Sequence, residues 1–176
     1  MDFKKLVSKE RQIWHRRLVP SIIAGVAVAI ITLFFKFTAS NIVLFSSLGA
    51  SAAILTHDRI HRMNILRTVI SSYFLALIIS MIITWISNYF NLILPLQVLF
   101  VVTFSLLSLY MFNIFHPPAV AASLAFLIFE GTLIERSWIF MSVVILLIII
   151  KVLTYMFYSD KLDLKKFLHL EFKKVK

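Results

Sequence analysis

At 176 residues the chain could make one soluble domain of about 150 residues, yet 61% of it is hydrophobic and 15% is charged. Soluble domains carry about 25% charge, so this composition excludes a soluble enzyme and a disordered tail, and the absence of cysteine excludes a disulfide scaffold and a thiolate metal site. The formal net charge of +10 sits in two tails and one loop beside apolar segments, where membrane topology and anionic lipid account for it and nucleic acid does not.

In chain order, residues 1–17 carry six Lys and Arg and form a basic amphipathic tail, with Phe3, Leu6, Val7, Ile13 and Trp14 on one helical face. A run from 18 to 36 follows. It is too long for a signal-peptide core and is read as a retained span. A helix needs about 20 apolar residues to cross a hydrocarbon core of about 30 Å; the segments 18–36, 68–90, 96–112 and 138–158 meet that length. Two further apolar segments, 40–56 and 113–130, are shorter and interrupted. Ser46-Ser47-Leu48-Gly49 predicts a helix start near Gly49, and His116-Pro117-Pro118 predicts one at Pro117 or Pro118, because proline suits the first turn of a helix. The tail 159–176 again alternates base with apolar residues, placing Leu164, Phe167, Leu168, Phe172 and Val175 on one face.

The charges set the number of crossings. The two tails and the loop 57–67, with Arg59, Arg62 and Arg67, are basic and so cytoplasmic by the positive-inside rule. Alternation then requires both short segments to cross. The expected fold is all-α and polytopic: six crossings over 18–158, both termini cytoplasmic, in a bacterial inner membrane. Long span, short broken segment, long span occurs twice, in 18–90 and 96–158, so the second unit is inverted relative to the first. Inverted repeats with paired discontinuous segments mark many transporters. Trp85, Tyr89 and Trp138 are expected in the outer aromatic belt, and Tyr110, Tyr155 and Tyr158 in the inner one.

Two strings carry the chemistry. A helix beginning at His116-Pro117-Pro118-Ala119 offers free N–H groups and a positive dipole end, which suit an anion, and His116 adds a donor that titrates near neutrality. Ser46, Ser47, Gly49, Ala50 and Ser51 supply hydroxyls and small residues from the other segment. Facing each other, the two would make a site for a small inorganic anion. No Asp or Glu lies within a span, which disfavours cation carriers and proton pumps. Lys151 stands inside the last span, about 11 Å from its end, either snorkelling or serving the anion pathway. His57 and His61 lack a third ligand, so no metal and no cofactor is expected.

Three readings therefore stand side by side. The first is an anion permease; the second is a non-transporting scaffold or lipid-binding protein. The third is an intramembrane serine hydrolase using Ser47 or Ser51 with His116. A bundle this small barely encloses a path, so a homo-oligomer is expected.

At His116-Pro117-Pro118 the sequence resembles the HPP family of small bacterial and plastid membrane proteins, named for that tripeptide. The likeness covers residues 15–158 and includes the span order and the earlier segment ending Gly49-Ala50-Ser51-Ala52. Leu48, Ser46 and Val120 depart from the family pattern, which favours Phe, Gly and Gly there. The resemblance implies a small-anion permease rather than an enzyme, with nitrite the first candidate.

Overall fold

The computed structural model describes residues 39–56, 65–158 and 171, together with Ile22, Gly25, Val26 and Ala29. The described residues form five helices: α1 (Ala39–Leu55), α2 (Leu66–Phe90), α3 (Leu94–Met111), α4 (Pro117–Ile128) and α5 (Leu133–Tyr158). By length and composition α2, α3 and α5 can each cross a membrane, and the family of segments expected from the sequence is present within a few residues. The first expected span and both basic tails lie, apart from the single residues above, outside the described residues.

One expectation is overturned. α1 runs unbroken through Gly49. A glycine inside a helix costs only about 1 kcal/mol relative to alanine, and Leu48, Ala50, Ala52 and Ala53 around it are good helix formers with no proline among them. The break predicted in the second segment is real: α4 starts at Pro117, with both prolines in its first turn. His116 is extended at φ −139° and ψ 98°, as the residue before a proline must be. α5 also begins five residues earlier than expected. Thr132 and Glu135 form a reciprocal cap, Thr132 N donating to Glu135 Oε2 at 2.7 Å and Glu135 N donating to Thr132 Oγ1 at 3.3 Å, which satisfies donors a helix start otherwise leaves open.

α2 and α3 end on asparagine. Asn91 has φ 52° and Asn113 has φ 53°, and Leu92 N and Ile114 N each reach back five residues, to Ser87 O and Leu109 O. Asparagine tolerates the left-handed conformation this closure needs, so a chain with only three glycines can still turn tightly.

Named contacts fix which helix ends lie together. Lys151 Nζ approaches the Leu55 carbonyl at 3.5 Å, and Glu171 accepts from Leu66 N at 2.7 Å. The end of α1, the start of α2 and the late part of α5 therefore meet at one end of the bundle, beside the 57–64 loop. At the far end Arg136, early in α5, reaches Thr84 of α2 and the Phe129 carbonyl after α4. α4 is short, 12 residues or about 18 Å. Ser72 of α2 bonds to the carbonyl of Ile114 just before it. α4 thus starts well inside the bundle and lies against α1, α2 and α3, presenting Ala119, Ala122, Ser123 and Ala125 as buried small residues that permit close helix approach. By contrast α3 keeps a broad apolar face exposed, including Leu99, Phe104 and Leu107.

Candidate functional site

The start of α4 meets α1 and α2 in a buried polar network. Ser47 and Ser51 are four residues apart and so share one face of α1; both are buried, as are Tyr73 of α2 and His116. Ser47 Oγ donates to the Pro118 carbonyl at 2.6 Å and lies 2.7 Å from Tyr73 Oη. Tyr73 Oη is 2.8 Å from Ser51 Oγ, which is 2.8 Å from His116 Nε2.

These four contacts leave one consistent placement of hydrogens. A carbonyl only accepts, so the single hydrogen of Ser47 is spent on Pro118. Tyr73 must then donate to Ser47, Ser51 to Tyr73, and His116 Nε2–H to Ser51. The network is a directed chain that runs from the imidazole to a backbone carbonyl. In its neutral form His116 carries its hydrogen on Nε2.

Of the expected site residues, the structure brings together Ser47, Ser51, His116 and Pro118. Ala119 is fully buried beside them, while Pro117 is exposed. Ser46 and Ala50 are exposed and Gly49 is half-buried, so they stand off the face that carries Ser47 and Ser51. Because α1 is continuous, its serines sit within the helix and bring no second positive helix end to the site. The start of α4 differs from expectation too. Pro117 and Pro118 have no N–H, and Ala119 N is bonded to the His116 carbonyl at 3.0 Å. The dipole remains, but the donors here are side chains.

Lys151 lies away from the network, at the loop end. It forms an ion pair with Glu171 at 3.4 Å beside the carbonyl of Leu55, one turn beyond Ser51. Glu171 is thus brought from the tail onto the bundle, where it both pairs Lys151 and caps the first N–H of α2.

Tyr73 was not among the residues expected at the site. The signal was its position: it lies seven residues, about 10 Å, inside α2, too deep for the belts where membrane tyrosines usually sit. Of the expected belt residues, Trp85, Tyr89 and Trp138 at the far end and Tyr110 at the loop end are exposed, while Tyr155 is half-buried. Among the described residues no cluster of His, Asp and Glu could hold a metal ion.

No curated protein and no solved structure matches the chain. The family model described as HPP, transmembrane region, matches residues 9–165, which takes in α1 to α5 and the His116-Pro117-Pro118 corner around which the network is built. The chain belongs to the HPP transmembrane-region family.

Proposed function

We propose that the protein is a permease or channel for a small monovalent anion, with nitrite the first candidate from the family resemblance. The observation that carries this reading is the buried chain of Ser47, Ser51, Tyr73 and His116. It gathers four hydrogen-bond donors, from two serines, a tyrosine and the imidazole, at the positive end of α4. Such a site accepts an anion once a hydroxyl turns from its neighbour. In this reading the loop end is cytoplasmic, the chain crosses a bacterial inner membrane six times as two inverted repeats, and anionic lipid holds the basic tails. The exposed face of α3 suits lipid or a second copy.

The test is ion flux in liposomes, using nitrite, nitrate, chloride and formate with wild type, Ser51→Ala and His116→Ala. Anion-selective flux that falls at least tenfold in both variants supports the reading. Equal flux in all three proteins removes the role given to the network.

One contact favours a second reading. Ser51 and His116 are within hydrogen-bond reach, as a serine hydrolase requires. The direction of the chain opposes it: Nε2 carries a hydrogen toward Ser51, so the ring nitrogen facing the hydroxyl has no lone pair to take its proton. Labelling of Ser51 by a fluorophosphonate would support the hydrolase.

A further inference from the structure

Arg136 is a charge that the donor chain leaves unexplained. Its side chain is 7% exposed. Nη1–H donates to Thr84 Oγ1 at 3.3 Å and Nη2–H to the Phe129 carbonyl at 3.0 Å, and both partners are neutral. A guanidinium has five N–H hydrogens; Nε–H is buried with no acceptor among the described residues. The neighbouring carboxylates are turned elsewhere. Glu135 closes the cap on Thr132, and Glu130 is exposed. A buried cation with no counter-charge among the described residues is costly in low dielectric, and in membrane segments such residues mark ion pathways.

The surroundings add donors and no acid. Thr84 Oγ1 donates onward to the Ser80 carbonyl at 2.8 Å, which puts Ser80 one turn further into the bundle on the same face of α2. The Ser80 hydroxyl is fully buried and has no partner among the described residues, and Ser105 of α3 is in the same condition. Ile83 and Val101 pack in one cluster. Ser80 lies three residues before Ile83, and Ser105 four after Val101. On antiparallel helices joined by a short turn these offsets are about 4.5 and 6 Å in the same direction, so the two serines share a level. Toward the far end of the bundle a positive charge with no counter-charge among the described residues thus lies one helical turn from the level of two hydroxyls that have no partner among them.

We propose that Arg136, Ser80 and Ser105 form a second binding site, for a small monovalent oxyanion. The guanidinium supplies charge and parallel N–H donors that match a planar oxyanion, and the two hydroxyls supply donors from the bundle side. The site rests on the transport reading for its use as a far-end station of the path. Its binding can be measured without flux.

The experiment uses the full chain in maltoside micelles, which contain no phosphate, with ionic strength held constant by sodium gluconate. The unfolding midpoint is followed against sodium nitrite, nitrate and chloride in a His116→Ala background, which removes the ring donor of the other site. Nitrite or nitrate should raise the midpoint saturably. Arg136→Gln should abolish the rise, Arg136→Lys should weaken the apparent affinity about tenfold, and Ser105→Ala should weaken it several-fold. If Arg136→Gln does not fold, the last two variants decide. An undiminished rise in Arg136→Gln, or no rise with any anion, would overturn the site. So would a rise that needs phosphatidylglycerol while the inorganic anions do nothing, since the oxyanion would then be a lipid phosphodiester. Unchanged flux in His116→Ala liposomes would remove the role of the inner network and leave a positive binding result standing.

Discussion

Replacing Ser47 by alanine should release the direction of the hydrogen-bond chain and mix the tautomers of a histidine to which Ser47 is not bonded. In the wild type the Ser47 bond to the Pro118 carbonyl forces every hydrogen to point away from His116. Without Ser47, the Tyr73 hydroxyl has lost its acceptor and can use its hydrogen only on Ser51. When it does, Ser51 donates to His116 Nε2, and the imidazole hydrogen moves to Nδ1. The unreversed alternative leaves the Tyr73 hydrogen buried and unused, and the reversed one leaves the Nδ1 hydrogen buried with no acceptor among the described residues, each at a cost of about 1–3 kcal/mol. The two penalties largely cancel, so with tenfold per 1.4 kcal/mol both arrangements should be populated within about tenfold of each other, where the wild type holds one. The variant loses two hydrogen bonds, each worth about 0.5–1.5 kcal/mol net. The Pro118 carbonyl keeps its place in the ladder of α4, so the total destabilisation should be about 1–3 kcal/mol. The assay is ¹⁵N NMR of histidine-labelled protein in micelles, with the His116 signals identified by their absence in His116→Gln. The reasoning fails if Nε2 is as fully protonated in Ser47→Ala as in the wild type, or if it carries no hydrogen in the wild type. A successful reversal would also give the serine-hydrolase geometry its base, so the same variant is the one to assay with a fluorophosphonate.

Two further outcomes follow from the packing. Glu171→Ala removes the charged bond to Leu66 N and the pair with Lys151, and should destabilise the bundle by about 2 kcal/mol; adding Lys151→Met should recover part of that loss, and additive midpoints in micelles would show that the two residues do not act as a pair. Ala122 is fully buried on α4, the helix packed against α1, α2 and α3, so Ala122→Leu should cost at least about 1–3 kcal/mol by overpacking. The half-buried neighbour in Ala121→Leu should be tolerated far better, and equal midpoints for the two would refute the packing argument.

Much of this architecture is legible in the residues. Apolar length gives α2, α3 and α5 because lipid rewards it directly, and two consecutive prolines fix the start of α4 because they cannot stand anywhere else in a helix. Ser47, Ser51 and His116 could be singled out because polar side chains within apolar segments need partners. The failures have physical causes. Gly49 looked like a break, but one glycine among alanines lacks the steric veto of proline, so α1 continues. Thr132 and Glu135 do carry the capping-box spacing, and weighing it would have moved the start of α5 to Leu133 and brought Arg136 into the bundle. Tyr73, Glu171 and the level shared by Ser80 and Ser105 depend on which helices meet. Spacing within one helix does not carry that information.

The depth of α4's first turn has an electrical meaning. Tyr73 is about 10 Å along α2 from its first residue, a third of a hydrocarbon core of about 30 Å. Moving one elementary charge across the whole membrane is worth about 2.3 kcal/mol per 100 mV, so an anion held beside His116, as the proposed permease requires, would feel about 0.8 kcal/mol of that. Occupancy there would shift roughly fourfold per 100 mV, making the resting potential itself a determinant of how often the pocket is filled. Arg136, near the opposite end of the bundle, sits where the remaining field has mostly been crossed, so the two stations would answer to voltage in unequal measure.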